Sequence, residues 1–171
     1  MSHLNVEIKA RCSDSERIRQ ILISKNADFH GKDHQIDMYF NVQRGRLKLR
    51  EGDIENYLIY YERKDKEGPK ESHVTLFPTT PRTSLKEILE KSLGVLVVVD
   101  KKREIYFIEN VKFHIDEVAE LGAFVEIEAI DKDGSIEKEK LQEQCQLYMQ
   151  LFGISDTDLV SVSYSDLLLK K

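Results

Sequence analysis

Strand-like segments of this chain carry charges of a single sign on alternate residues, and this pattern restricts the folds that the chain can adopt. In RGRLKLR, the basic residues Arg46, Lys48 and Arg50 alternate with leucines. Glu126 and Glu128 flank an isoleucine in the same way. Side chains alternate between the faces of a strand, so the members of each set share one face, roughly 7 Å apart. Because like charges at that spacing repel, these faces are either solvated or built around oppositely charged groups.

The composition limits the class of protein. The chain has 171 residues with 40% hydrophobic and 33% charged residues and a net charge of −5, which predicts one globular domain over residues 1–171. The negative charge argues against a nucleic-acid partner, and the apolar run LGVLVVV is too short for a membrane span, which needs roughly 18 residues. No secretory signal opens the chain, and Cys12 and Cys145 lie far apart. We therefore expect a reduced, cytoplasmic protein with no membrane partner.

Hydrophobic periodicity predicts about eight strands and three helices. The strands are expected near 3–11, 36–41, 46–50, 55–65, 71–80, 95–108, 111–117 and 123–130. The helices are expected from the capping box SDSE (13–16) to about residue 26, from the capping box SLKE (84–87) to Gly94, and over about 135–152. Most strands follow one another directly, which is typical of antiparallel sheets.

Two arrangements of these strands remain open. An open antiparallel sheet would expose its charged faces to water. A closed barrel would instead place polar residues inside and cover its apolar outer face with helices. The basic face at 46–50, a second one at Lys101 and Arg103, and the acidic pair repeat the pattern on several strands. This repetition favours an α+β fold, with an eight-stranded antiparallel closed β-barrel and flanking helices.

A barrel interior of this kind predicts a particular class of ligand. Lysine and arginine side chains in a confined space bind polyanions, and arginine matches phosphate oxygens in a bidentate manner. Carboxylates beside a polyphosphate would repel it, unless a hard divalent cation, Mg²⁺ or Mn²⁺, lies between them. This combination is common in phosphoryl and nucleotidyl transfer. The pattern predicts a nucleoside or inorganic triphosphate as partner and leaves the reaction open.

Five segments resemble, in the same order, the motifs of CYTH proteins, the triphosphate tunnel metalloenzymes. They are NVEIKAR (Glu-x-Glu-x-Lys in the family), QIDMYFN, GRLKLRE, DKKREIY and HIDEVAELGAFVEIE. The family includes class IV adenylate cyclases, thiamine triphosphatase and inorganic triphosphatases, and the first of these groups is the most similar. The resemblance covers nearly the whole chain and implies an eight-stranded antiparallel tunnel.

The resemblance also implies roles for individual residues. The expected metal ligands are Glu7, Glu126 and Glu128, with Asp116 beside them. The residues expected to hold the phosphates are Lys9, Arg11, Lys48, Arg50, Lys101 and Arg103, among which Lys9, Arg50 and Arg103 are the candidate catalytic residues. The strand YLIYYERKD should supply one more cation, for which Arg63 is favoured over Lys64. A solvated strand end is the alternative for that segment.

Three further residues are expected to have supporting roles. For His114, hydrogen bonds that orient its neighbours are favoured over a role as metal ligand or acid–base group, and Asp37 and Tyr39 are expected to be structural. Asn5 departs from the family pattern, because it stands where the motif begins with glutamate. One carboxylate is therefore lost from that edge of the metal site.

Three functions remain open at this point. A cyclase would convert ATP to cyclic AMP and pyrophosphate, a triphosphatase would hydrolyse an organic or inorganic triphosphate, and a non-catalytic module would only bind polyphosphate or nucleotide. The motif pattern favours the cyclase, whereas Asn5 favours the binding module. Whether an adenine pocket exists is not visible in the sequence, and a homodimer also stays open.

Overall fold

Eight strands close into a barrel in the computed structural model, which describes residues 2–171. The strands are β1 (Ser2–Arg11), β2 (Asp28–Phe40), β3 (Arg46–Glu51), β4 (Tyr57–Arg63), β5 (Lys70–Pro78), β6 (Val95–Ile108), β7 (Val111–Val118) and β8 (Gly122–Asp131). Their hydrogen-bonded order is β1-β5-β4-β3-β2-β6-β7-β8, all neighbours are antiparallel, and β8 pairs with β1. The predicted α+β fold with a closed eight-stranded barrel is confirmed.

Four α-helices accompany the barrel: α1 (Ser15–Ser24), α2 (Leu85–Leu93), α3 (Lys138–Leu151) and α4 (Tyr164–Leu169). A single 3₁₀ turn, Asp156–Asp158, lies between α3 and α4. None of the helices within residues 2–171 combines the length and the apolar composition that a bilayer crossing requires.

The main hydrophobic core lies outside the barrel, between its wall and two of the helices. Ile8, Phe113 and Ile127, on β1, β7 and β8, turn their side chains outward and are at most 1% exposed. They pack in one cluster with Leu22 of α1 and Leu141 of α3. Because the outer face of these strands is covered by helices, the other face has to be the polar interior.

The inner face shows the alternation that the sequence predicted. On β6, Lys101 and Arg103 are 2% and 3% exposed, while Asp100 and Lys102 lie on the outer surface. In an open sheet both sets would be accessible to water, so closure of the barrel is what buries the basic face. The alternative of a solvated open sheet is therefore wrong.

Several boundaries differ from the expected ones. β2 begins at Asp28 rather than near residue 36, because pairing with β6 extends it through a polar stretch that has no strand signal of its own. Helix α1 is capped by Asp14, whose carboxylate accepts the N–H of Arg17. Ser84 precedes α2 but makes no side-chain capping hydrogen bond. Helix α4 was not predicted; with six residues it is too short to show a clear period.

The C-terminal segment closes one end of the barrel. Lys70 Nζ donates to the carbonyl oxygen of Ser161 at 3.0 Å, and the N–H of Val160 donates to the Lys9 carbonyl at 2.9 Å. Arg46 donates from Nη1 and Nη2 to the two carboxylate oxygens of Asp166, at 2.9 and 2.8 Å. These contacts hold α4 across the end of the barrel at which β1 finishes, and we call this the closed end.

We predict that Ile127→Ala lowers the free energy of unfolding by about 2–5 kcal/mol, because it removes a completely buried side chain between the barrel wall and the helices. Urea titration measures the change. Ile23→Ala is the matched control, since Ile23 is 55% exposed and its truncation should shift stability by less than about 0.5 kcal/mol. Equal losses in the two variants would contradict the proposed location of the core.

Candidate active site

A cavity of about 410 Å³ runs through the barrel and receives side chains from all eight strands. Eight lysines and arginines line it but only four carboxylates, so its charge is positive. The cations are Lys9, Lys48, Arg50, Arg63, Lys101, Arg103, Lys112 and Lys132, and the carboxylates are Glu7, Glu55, Glu126 and Glu128. An interior with excess positive charge is suited to a polyanion.

Most of the predicted phosphate-binding residues face this cavity, with one exception. Lys9, Lys48, Arg50, Arg63, Lys101 and Arg103 all line it. Of the two candidates for the additional cation, Arg63 at the end of β4 points into the cavity, whereas Lys64, just beyond the strand, is exposed. Arg11 is exposed at the end of β1, where its guanidinium lies 5.1 Å from the ring centroid of Phe124. The structure therefore separates Arg11 from the other cations.

Asp37 holds three of the cations in place. Its carboxylate accepts hydrogen bonds from Lys48 Nζ at 2.9 Å, from Lys101 Nζ at 2.7 Å, and from Nε and Nη2 of Arg50 at 2.9 Å each. Burial by itself would raise the pKa of Asp37, but Arg50, Lys101 and Lys48 hold it well below its usual range. Arg50 also donates to Glu55 at 3.1 Å, so three cations have two carboxylates between them, which leaves positive charge available for a ligand.

Lys9 also carries charge that is only partly compensated. Burial, followed by repulsion from Arg63 and Lys70, lowers the pKa of Lys9 to about 8 against the attraction of Glu126 and Glu7. Its Nζ has a long contact of 3.5 Å to the carbonyl oxygen of Val162 and lies 4.2 Å from the ring centroid of Tyr164. An anion in the cavity would restore its preference for the protonated form.

His114, Glu126 and Glu128 point into the cavity and form a cluster of side chains that can bind a metal ion. One ligand atom each from His114, Glu126 and Glu128 lies within 4.8 Å of the others. Glu7, on the neighbouring strand β1, stands opposite Glu128 in the register and accepts a hydrogen bond from Arg63 at 2.6 Å. Of the predicted metal ligands, Glu126 and Glu128 thus meet beside His114, whereas Glu7 lies next to this group on β1 and is paired with Arg63.

The residues of this cluster fit a hard divalent cation. Burial, together with the neighbouring carboxylate of Glu7, raises the pKa of Glu128 to about 7, so the ionised cluster is costly without a counter-charge. Neither ring nitrogen of the buried His114 has a hydrogen-bond partner among residues 2–171, and Nδ1 lies 3.7 and 3.8 Å from Glu126 and Glu128. Burial and the nearby Arg103 lower the pKa of His114 to about 4, so its neutral ring offers a lone pair. The hydrogen bonds expected for His114 are not found.

Asp116 is not part of the cluster. Both of its oxygens accept from Arg103 at 2.7 Å, and Oδ2 also accepts from the Tyr164 hydroxyl at 2.7 Å. Arg103 reaches Glu126 Oε1 at 3.1 Å as well. Asp116 therefore positions Arg103 and connects it to α4.

Asn5 lies in the cavity wall on the same strand as Glu7. Its Oδ1 is buried and has no hydrogen-bond partner within the described residues 2–171. A buried acceptor without a partner costs about 1–3 kcal/mol, which a ligand, an ion or a water can recover. Asn5 thus contributes a neutral oxygen where the family motif places a carboxylate.

Four charged residues of the interior were missed in the sequence, among them Lys132, which lines the cavity just beyond the end of β8. Lys112 shares a face with His114 and lies two positions before it, so strand alternation could have indicated it. Lys70 begins β5 and is 1% exposed, but the sequence around it reads as a polar loop. Glu55 lies in the connection between β3 and β4, where no periodicity places side chains.

Together, the fold and the site define a barrel whose interior combines cations for a polyphosphate with carboxylates for a divalent metal. The chain belongs to the CYTH domain family, whose model matches residues 3–164. Membership of this triphosphate tunnel family implies triphosphate substrates and dependence on a divalent metal.

Relatives match this chain over nearly their whole length. A Methanocaldococcus jannaschii protein named "Putative adenylate cyclase" is 28% identical, covering 96% of this chain and 98% of the relative. A structure from Pyrococcus horikoshii has a TM-score of 0.80 at 26% identity, covering 95% and 98% of the two chains. A structure from Vibrio parahaemolyticus described as a putative adenylate cyclase has a TM-score of 0.72 at 20% identity, covering 99% of each chain.

We predict that Glu128→Gln stabilises the metal-free protein at pH 8 but not at pH 4. The pKa of Glu128 is raised to about 7, so this carboxyl group favours folding below its usual pKa of 4.5, and the benefit is lost as the pH rises through 7. The gain in the free energy of unfolding should be on the order of 3 kcal/mol. Urea titration at the two pH values measures it.

Two comparisons complete this test. Glu117→Gln, on the outer surface of β7, should show no such pH dependence. Addition of Mg²⁺ or Mn²⁺ should stabilise the wild type at pH 8 more than it stabilises Glu128→Gln. Unchanged stability of Glu128→Gln at pH 8 would show that the carboxylates do not repel one another.

We also predict that Lys101→Ala weakens metal-free binding of tripolyphosphate by about 1.5–3 kcal/mol, because it removes a donor inside the cavity whose protonated form the polyanion would favour. Lys102→Ala, at the next position of the same strand but on the outer surface, should bind like the wild type. Isothermal titration calorimetry measures both. If the two variants bind tripolyphosphate with equal affinity, the polyanion does not enter the barrel.

Proposed function

We propose that this protein is a divalent-metal-dependent enzyme that acts on a triphosphate inside the barrel, and that its reaction is of the adenylate cyclase type. One observation supports this above all: the cavity combines buried, partly compensated cations with the cluster of His114, Glu126 and Glu128. The name of the Methanocaldococcus relative agrees with the reaction. The substrate would be ATP, and the products cyclic AMP and pyrophosphate.

The cations would bind and orient the phosphates. Lys48 and Lys101 are held by Asp37, and Arg63, on the strand next to that of Lys48, is held by Glu7. Fixed donors of this kind lose little entropy when the ligand arrives, which increases their contribution to binding. Mg²⁺ or Mn²⁺, held by Glu7, Glu126 and Glu128, would supply further neutralisation of the phosphate charge.

In the cyclase reaction, the ribose 3′-oxygen bonds to the α-phosphorus, the bond from this phosphorus to the bridging oxygen breaks, and the hydroxyl proton is released. Negative charge then develops on the departing pyrophosphate. Arg50 and Arg103 each keep a carboxylate partner that fixes the guanidinium, and Lys9 lies opposite Glu126 in the register. We assign the stabilisation of the developing charge to these three residues.

A triphosphatase is the second candidate, and the unpartnered polar atoms of the cavity favour it. Asn5 Oδ1 and both ring nitrogens of His114 are buried polar atoms that make no hydrogen bond within residues 2–171. Such atoms hold ordered water when there is room for it, and a held water near a triphosphate can act as the nucleophile. The same cations would stabilise the departing phosphate in either reaction.

The products distinguish these reactions. We expect the protein to convert ATP to cyclic AMP and pyrophosphate with Mg²⁺ or Mn²⁺, and Glu126→Gln to lower turnover by at least about a hundredfold because it removes a metal carboxylate. Chromatography of the nucleotides, with a phosphate assay, measures both. Glu117→Gln should keep full activity.

Other outcomes would change the conclusion. ADP and phosphate without cyclic AMP would establish the triphosphatase. Binding of tripolyphosphate with no turnover of any triphosphate would leave the non-catalytic binding module, which the replacement of a family glutamate by Asn5 also favours. Full activity of Glu126→Gln would contradict the assigned metal site.

A further inference from the structure

One row of inward side chains places a lysine beside the cluster of His114, Glu126 and Glu128. Lys112 of β7 stands opposite Glu128 of β8 in the strand register, and Glu128 stands opposite Glu7 of β1. All three side chains of this row line the cavity. Cross-strand neighbours on one face have Cβ atoms about 4.5–5.5 Å apart, so Glu128 has a glutamate on one side and a lysine on the other.

Glu55 holds the end of this lysine side chain. Its Oε2 accepts a hydrogen bond from Lys112 Nζ. Glu55 is itself fixed, because the carboxylate of Asp33, a residue that is 1% exposed, accepts the backbone N–H groups of Ile54 and Glu55 at 2.9 Å each. A Cβ at Gly52 would lie only 2.7 Å from Asp33 Oδ1, so this approach of the β3–β4 connection requires glycine there. Lys112 is therefore tethered at a defined place in the cavity.

The contact with Glu55 does not cancel the charge of Lys112, because Glu55 is shared. Its Oε1 accepts from Arg50 Nη1 and from Gln35 Nε2 at 3.1 Å each, so one carboxylate serves two cations. The charge of Lys112 still acts on the cluster. Burial and the carboxylate of Glu7 raise the pKa of Glu128, and Lys112 opposes this rise.

The other two glutamates of the site already have arginine partners. Arg63 Nη1 donates to Glu7 at 2.6 Å, and Arg103 Nη2 donates to Glu126 at 3.1 Å. Glu128 forms no ion pair with a lysine or arginine among residues 2–171, and its closest charged or titratable neighbour is His114 Nδ1 at 3.8 Å. Lys112 is thus the cation that the strand register assigns to Glu128, which leaves little uncompensated negative charge for metal ions.

Asn5 lowers the negative charge of the site further. It lies two positions before Glu7 on the inward face of β1 and is 4% exposed, and its buried Oδ1 has no hydrogen-bond partner within residues 2–171. Two divalent ions that act together lie about 3.5–4 Å apart and repel each other, so each needs carboxylates of its own. A neutral amide oxygen in place of the family glutamate removes one of these charges.

We infer that the cavity binds one divalent cation per chain, and that Lys112, held by Glu55, supplies beside Glu128 the fixed positive charge that a second cation would otherwise provide. Asn5 completes this exchange, because a carboxylate at that position would favour a second cation. Neutralisation on this side of the site then does not depend on the concentration of free metal. The inference rests on the proposed function, since it assumes that a divalent cation is bound inside the barrel.

Counting bound Mn²⁺ tests the inference without any turnover. In a titration with Mn²⁺ alone at pH 8, the electron paramagnetic resonance signal of free Mn²⁺ should show one bound ion per wild-type chain. The double variant Asn5→Glu/Lys112→Met adds a carboxylate and replaces the ammonium by an uncharged side chain of similar length. It should bind two ions, the second at least about tenfold more tightly than either single variant does.

Matched variants separate the charge of Lys112 from other effects. Asn5→Glu/Lys112→Arg keeps the positive charge, so its second ion should bind no more tightly than in Asn5→Glu alone. Asn5→Glu/Lys102→Met should behave in the same way, because Lys102 lies on the outer surface of β6. Circular dichroism confirms that each variant is folded, and Lys112→Gln replaces Lys112→Met if that variant is not.

The outcomes separate this inference from the proposed function. If the wild type binds two Mn²⁺ ions, the inference is overturned and the metal-dependent function stands. If the folded double variant still binds a single ion, Lys112 and Asn5 do not determine the number of metals, and the function again stands. If the wild type binds no Mn²⁺, the metal site of the proposed function and this inference fail together.

Discussion

The structure depends on one electrostatic constraint: a set of cations is buried inside a barrel and must be stabilised there without being fully neutralised. Asp37 does much of this for Lys48, Arg50 and Lys101, and Arg50 also donates to Glu55 at 3.1 Å. A buried cation without a partner would lose its proton or destabilise the fold, whereas a cation with a carboxylate of its own attracts a ligand less strongly. Three cations with two carboxylates lie between these extremes. The barrel can therefore fold with an empty interior and still attract a polyanion.

The carboxylates of the interior differ in how far neighbouring cations neutralise them. Arg103 holds Asp116 apart from the other carboxylates and also reaches Glu126, and Arg63 partly neutralises Glu7, so that Glu128 is the carboxylate near His114 that has no lysine or arginine partner among residues 2–171. Carboxylates grouped in this way, within a cavity that is positive as a whole, are the ligands that a divalent cation between phosphate and protein requires. The C-terminal segment helps to hold Asp116 in this position. The Tyr164 hydroxyl donates to Asp116, and Arg46 anchors the same helix by donating to Asp166.

One end of the cavity is less uniformly charged than the other. Tyr57, Ile59, Leu76 and Pro78 of β4 and β5 line it beside Lys112 and Lys132. Glu55 is held toward the interior there, because the carboxylate of Asp33 accepts the backbone N–H groups of Ile54 and Glu55 at 2.9 Å each.

Local sequence determined the strands of this protein and the side chains that face the barrel interior. The alternation of Lys48 and Arg50 with leucines, and of Glu126 and Glu128 around Ile127, predicted both the strands and the faces that turn inward, because side-chain alternation is a local property of a strand. Only the tertiary structure decided which charges meet. Asp116 pairs with Arg103 across β6 and β7, Glu55 enters from a loop, and Lys70 is buried by the C-terminal segment. These contacts join residues distant in sequence, so their energies depend on barrel closure, which no periodicity of a single strand encodes.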